Sequence, residues 1–247
     1  MANIPPDNYL KTLNKTGVST RYIDNIAQAG IDFSRGKKLP VLDMGCGYGS
    51  VSRALLRQRN SVIANDLDQR HLIELKASLP SAEQKSLTLL CGKFPTEVSL
   101  PPATVSAVIS SWMIHFLSGP ELKYLSDKLF SALVVGGKVF LSASSPYLKF
   151  LTEFIPVYEK QKLYGAEFPG WMADVSQYLQ PHQIENLPPS MHFLDPSLLE
   201  RIFTQAGFEV EYAEFFRRDD VTEGMALDGR ENVGIIARKP ETIVAEF

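Results

Sequence analysis

Short apolar runs alternate with amphipathic, helix-length segments through the first 145 residues. Residues 39–44, 62–66, 87–91, 105–111 and 138–144 each read as a strand, the first as Leu-Pro-Val-Leu-Asp-Met. Between them, residues 50–59, 69–79 and 119–134 carry apolar positions at helical spacing, and Pro120 suits the first turn of the last. An earlier helix is expected from a cap at Ser19 or Thr20, with Tyr22, Ile23, Ile26 and Ala27 on its apolar face and Gly30 as its stop. Strands separated by helices imply βαβ units and an α/β fold with a parallel sheet covered on both faces. Runs with little polar alternation suit strands buried on both sides.

The alternation breaks after Ser145. Residues 146–195 hold six prolines and no clear strand, and nine of the 47 residues from 147 to 193 are aromatic against 10% in the whole chain. This enrichment marks the segment as an insertion rather than another βαβ unit, in a single domain spanning 1–247. Two functions fit it: a helical subdomain with its own small core, or a lid over the strand tips. Regular structure returns with a helix from Pro196 to Ala206 and strands over 208–216 and 232–238, close enough in sequence to pair antiparallel. Residues 1–18 are polar and proline-marked, and read as an arm over the surface.

The charge balance is 25 basic against 28 acidic residues, or −3. A protein that neutralises many phosphates carries a basic excess, so the balance argues against nucleic acid as partner. Two cysteines, Cys46 and Cys91, form no metal-ligand pattern and read as reduced thiols of a cytoplasmic protein. No run approaches the ~18 apolar residues of a membrane span.

The chemistry concentrates in Val41-Leu42-Asp43-Met44-Gly45-Cys46-Gly47-Tyr48-Gly49-Ser50. A buried strand ends near an acid, three glycines alternate, and a helix starts. Glycines at a strand-to-helix turn allow a sharp bend and close approach of a ligand to the backbone. The spacing is G-x-G-x-G rather than the dinucleotide G-x-G-x-x-G, and no Lys follows to grip a phosphate. Asp43 would repel a pyrophosphate and suits a ligand with positive charge. Asp66 ends the second strand and can accept ribose hydroxyls or cap the following helix; Asp68 is the other candidate for the ribose. One Asp-x-Asp pair does not make a metal site, and no metal is expected.

These segments, in this order, resemble the class I S-adenosylmethionine-dependent methyltransferases. The likeness extends through Cys91-Gly92-Lys93-Phe94, through Val105 to Leu117, through Gly136-Gly137-Lys138-Val139-Phe140-Leu141, and through Ala206-Gly207-Phe208-Glu209-Val210. It implies a Rossmann-like, mostly parallel seven-stranded sheet with its last strand antiparallel, and S-adenosyl-L-methionine as cofactor. It assigns cofactor contacts to Asp43, Gly45, Cys46, Gly47, Gly49, Asp66, Leu67, Lys93, Phe94, Ser110 and Ser111. Where the family often has an acid reaching the adenine amino group, this chain has Lys93, which cannot accept a hydrogen bond. Backbone groups of Lys93 or Phe94 can still read the adenine edge.

A sulfonium methyl is already activated, so such an enzyme mainly aligns its acceptor and excludes water. His115, at the fourth strand tip, is the candidate general base, with packing or capping as its other reading. Tyr147, Tyr158, Trp171, His182 and His192 are candidate walls of a pocket for a small organic or lipid-like acceptor. His71 reads as a surface or capping residue. The Pro-Cys and [DNS]-P-P-[YFW] patterns of base-methylating enzymes are absent. A protein or RNA acceptor, and a cofactor-binding module without turnover, remain open; Asp43 and the glycine spacing oppose a nicotinamide enzyme.

Overall fold

In the computed structural model the described residues are 9–185 and 187–241, without the side chains of Tyr9, His182 and Gln183. A hairpin of β1 (Tyr9–Lys11) and β2 (Val18–Thr20) comes first. The α/β body follows: α1 (Asn25–Phe33), β3 (Val41–Met44), α2 (Ser50–Arg57), β4 (Val62–Asp66), α3 (Gln69–Ala77), the single turn α4 (Ser81–Gln84), β5 (Leu87–Cys91), β6 (Val105–Ser111), α5 (Gly119–Ala132) and β7 (Leu133–Ser144). The insertion holds α6 (Ile155–Leu163), β8 (Trp171–Met172), α7 (Pro181–Ile184) and β9 (Met191–His192). The chain then adds α8 (Pro196–Gln205), β10 (Glu209–Phe216) and β11 (Asn232–Arg238).

Seven strands form one sheet in the order β10-β11-β7-β6-β3-β4-β5. The pairs from β7 to β5 are parallel, while β11 runs antiparallel to both β7 and β10. Pleating sends successive side chains to opposite faces. Leu42 and Val108 join one buried cluster with α5 and α8; Val41 and Ile109 join the other with α1, α2 and α3. Strand β3 has β4 on one side and β6 on the other, so the chain order reverses there, and the crevice outside its carboxyl end is where open α/β sheets bind ligands.

Three local expectations are corrected. Helix α1 begins after Asp24, whose carboxylate accepts from the Ala27 N–H at 2.8 Å, because Ser19 and Thr20 belong to β2. Gly30 lies inside α1 rather than stopping it. A Cβ there would come within 2.8 Å of Ile109 Cγ1, so glycine lets the helix sit close on the sheet. Strand β7 starts at Leu133, five residues before the expected Lys138, and bends at Gly136, which has φ +74°.

The insertion contains one short strand pair, β8 with β9, where none was expected. Tyr147, Leu151, Phe154, Tyr158, Met172 and Phe193 are buried together in a cluster of their own. Within the expected surface arm, residues 9–18 belong to the β1–β2 hairpin and its turn, and residues 1–8 lie outside the described residues. Among the described residues no helix is long and apolar enough to cross a membrane.

Candidate active site

The turn from β3 into α2 carries Gly45, Gly47 and Gly49 at φ +70°, +51° and +79°. L side chains rarely adopt this region, so glycine is required by conformation. It is also required by space, since a Cβ on Gly45 would lie 2.5 Å from Met113 Cγ. Gly47 donates its N–H to Asp66 Oδ2 at 2.8 Å, which fastens the glycine turn to the tip of β4. Asp66 Oδ1 accepts from the Asp68 N–H at 2.8 Å and faces His71 Nδ1 at 3.0 Å. Asp68, not Asp66, caps α3, through a bond from the Arg70 N–H.

Between the strand tips and the hairpin lies a cavity of about 310 Å³. Asp43, Gly45, Cys46, Gly47, Asp66, Leu67, Lys93, Phe94 and Ser111 all line it. Gly49 and Ser110 stand behind the wall: Gly49 precedes α2, and Ser110 donates to the Met44 carbonyl at 2.7 Å. The cavity wall also carries a more apolar set, Tyr22, Trp112, Met113, Phe116, Leu117 and Pro188, of which Met113 lies against Gly45. Its roof is the hairpin segment, through Thr12, Asn14, Thr16, Val18, Ser19 and Thr20. Sequence reasoning missed this roof, and it missed His71, which is 1% exposed and lines the cavity instead of the surface.

Burial pushes the Asp43 carboxyl up to about 6, against the opposing hydrogen bonds from Ser52 and with a contribution from the nearby Asp66 charge. Burial first, then Asp43 and Asp66, push the Cys46 thiol well up, so Cys46 is a wall and not a nucleophile. Lys93 pairs its ammonium with Glu121, and its N–H donates to Glu97 Oε2 at 2.9 Å. That backbone donor is therefore committed within the protein. Phe94 is buried and lines the cavity.

The acceptor-side expectations fare differently. His115 is buried beside the cavity but does not line it; Nδ1 accepts a long bond from the Ser144 N–H at 3.4 Å. Burial holds its pKa down to about 3, which makes it a weak base near neutrality. Tyr147 and Tyr158 face the insertion's own core, where Tyr147 donates to Glu159 and Tyr158 to Asp195 Oδ2. Trp171 and His192 pack edge to face within the β8–β9 pair. Burial also pushes His192 down to about 4. None of these lines the cavity, because the aromatic groups of the insertion bury one another; Pro188 is what the insertion contributes. The side chain of His182 lies outside the described residues.

Residues 41–137, the segment carrying the glycine turn, match the methyltransferase-domain family. A solved S-adenosylmethionine-dependent methyltransferase from Mesorhizobium loti superposes with a TM-score of 0.61 at 20% identity, over 86% of this chain and 95% of its own. The fold is that of S-adenosylmethionine-dependent methyltransferases. A second such structure, from Methanosarcina mazei, gives a TM-score of 0.62 at 16% identity, over 85% of this chain and 96% of that one. The glycopeptide N-methyltransferase MtfA, solved with S-adenosyl-L-methionine, shares the methyltransferase fold at a TM-score of 0.53 and 17% identity, over 89% of this chain and 96% of its own. In sequence, phosphoethanolamine N-methyltransferase 1 of Triticum aestivum is 26% identical over 105 residues, 42% of this chain. The match spans only 21% of that relative's length.

The residues of the site fit S-adenosylmethionine. The donor is cationic and carries ribose hydroxyls, and the wall offers Asp43 and Asp66 with no lysine in the glycine turn. Gly45 and Gly47 keep the backbone bare where a Cβ would close the space.

Proposed function

We propose that the protein transfers a methyl group from S-adenosylmethionine to a small organic acceptor. The observation that carries this reading is one cavity, covered by the hairpin, whose wall combines two chemically distinct sets of residues. The acidic, glycine-rich set at β3 and β4 suits the donor, and the apolar set of Tyr22, Trp112, Met113, Phe116 and Leu117 suits the acceptor. A volume of about 310 Å³ under a hairpin favours a small molecule over a folded polymer. The partial likeness to phosphoethanolamine N-methyltransferases, whose named acceptor is small, points the same way.

Donor binding falls to Asp66 for a ribose hydroxyl and to Asp43 for the positive end. The donor supplies an activated methyl on a sulfonium sulfur. The chain's own part is alignment and exclusion of water: the β1–β2 hairpin covers the cavity, and Trp112, Met113 and Phe116 hold the acceptor side apolar. No nucleophile is required of the protein. We read residues 146–195 as an insertion within one domain that buttresses the site.

Calorimetric titration with S-adenosylhomocysteine tests the donor site, with binding expected in the micromolar range; silence at millimolar ligand would reject it. Labelled donor, offered separately to metabolite, protein and RNA extracts, tests the acceptor. Label in the metabolite fraction is expected, and label in macromolecules alone would overturn the small-molecule reading.

A further inference from the structure

His71 stands in the first turn of α3, sealed from solvent between the tip of β4 and the hairpin. The Leu13 N–H donates to His71 Nε2 at 3.0 Å. A ring nitrogen that accepts carries no proton, so the proton of the neutral imidazole sits on Nδ1 and is donated to Asp66 Oδ1 at 3.0 Å. With the Asp68 N–H also on Oδ1, that oxygen has both lone pairs engaged. Oδ2 accepts from the Gly47 N–H and keeps one lone pair for a ligand. His71 thus helps fix which edge of the carboxylate is left open.

The same ring holds the hairpin. Leu13 lies in the turn between β1 and β2, whose neighbouring residues Thr12, Asn14 and Thr16 roof the cavity. Tyr48 Oη donates to the Lys11 carbonyl at 3.1 Å and Arg70 Nη2 to the Leu13 carbonyl at 2.6 Å, so the β1 side of the strap is seated on α3 and the glycine turn.

We propose that His71 is a positioning residue for nucleoside binding, joining the seat of the β1–β2 strap to the orientation of the Asp66 carboxylate through its two ring nitrogens. The proposal rests on the reading of Asp66 as acceptor for a nucleoside hydroxyl. Because coupling is reciprocal, a nucleoside on Asp66 steadies the strap, and a seated strap tightens the nucleoside.

The two halves can be separated. His71→Asn places an amide near Nδ1 and cannot reach Leu13; His71→Gln places one near Nε2 and gives up Asp66. Leu13→Pro deletes the donated N–H and leaves α3 untouched. Amide hydrogen exchange of residues 10–20 reads the strap directly, and titration with S-adenosylhomocysteine reads the carboxylate.

His71→Gln should keep the Leu13 amide protected without ligand and bind the nucleoside about tenfold more weakly. His71→Asn should expose that amide by tenfold or more and lose less affinity. Leu13→Pro should loosen the neighbouring strap amides as His71→Asn does, and in both variants bound ligand should no longer slow strap exchange. Equal losses in the Asn and Gln variants would mean that His71 only packs, and unchanged affinity in both would also overturn the proposal. If the folded wild-type protein binds no S-adenosylhomocysteine, the nucleoside reading itself fails, and the proposal with it.

Discussion

The Asp43 carboxylate takes both donors of Ser52, the N–H at 2.9 Å and the hydroxyl at 2.6 Å, on the single oxygen Oδ2. Even so, burial dominates and the group titrates near 6. Its pKa in the fold lies above its ordinary value, so the stability it confers is full below about pH 4 and is lost as pH rises through 6. At pH 7.5 the ionised group costs on the order of 3 kcal/mol. A cationic ligand needs that ionised form. The melting temperature of the free protein should therefore fall between pH 5 and 7.5 through this group, while S-adenosylmethionine binding tightens about tenfold over the same interval. Asp43→Asn should flatten both slopes. Parallel slopes in calorimetry of the two proteins would show that Asp43 is not the group responsible.

Gly45→Ala tests the bare backbone of the glycine turn. The new Cβ meets Met113 at 2.5 Å on a backbone held at φ +70°. A loss of about 1–3 kcal/mol in urea unfolding is expected, with S-adenosylhomocysteine affinity reduced at least tenfold. Full affinity in the folded variant would show that the ligand does not pass close to this turn.

Tyr158→Phe separates the insertion's core from the site. The lost hydroxyl donates to Asp195 Oδ2 at 2.9 Å, and Asp195 keeps the Ser197 hydroxyl, the Leu198 N–H and Lys162 as partners. Stability should drop by about 1–2 kcal/mol while nucleoside affinity stays within twofold. A change in affinity larger than that in stability would place Tyr158 in ligand recognition.

His115→Gln addresses the general base. An imidazole whose pKa burial holds near 3 stays neutral throughout the working range, so its removal should leave the shape of the pH–rate profile between 6 and 8 unchanged. Disappearance of an acid limb near pH 6–7 would reinstate His115 as the base.

What could be read in the sequence was chemistry that is local along the chain. The glycines, Asp43 and Asp66 sit at strand ends whose apolar runs are unmistakable, and their backbone demands are carried by residue type alone. What could not be read depends on partners far away. His71 meets Leu13 across 58 residues, and without that contact a histidine in a first helical turn looks like a surface group. The aromatic richness of residues 147–193 signals burial but not direction, and Tyr147 and Tyr158 turn toward each other, with ring centroids 5.8 Å apart. Ser19 and Thr20 have the side chains of helix caps, yet pairing with β1 claims them as strand and leaves the cap to Asp24.

Four bonds seat the strap over the cavity through its main chain, beside the side-chain bonds of Thr20 to Asp220 and Arg218. Tyr48 binds the Lys11 carbonyl, Arg70 the Leu13 carbonyl, His71 the Leu13 N–H, and Ser50 the Thr20 carbonyl. None of these four bonds asks for a particular side chain on the strap. Asn14 Oδ1 accepts from both the Thr16 N–H and the Thr16 hydroxyl and so shapes the turn, whereas Val18 lines the cavity and its side chain enters none of these bonds, so position 18 can be rewritten while the seat stays in place. The glycine turn at the strand tips has no such freedom, because its positive φ fixes the residue type at Gly45, Gly47 and Gly49.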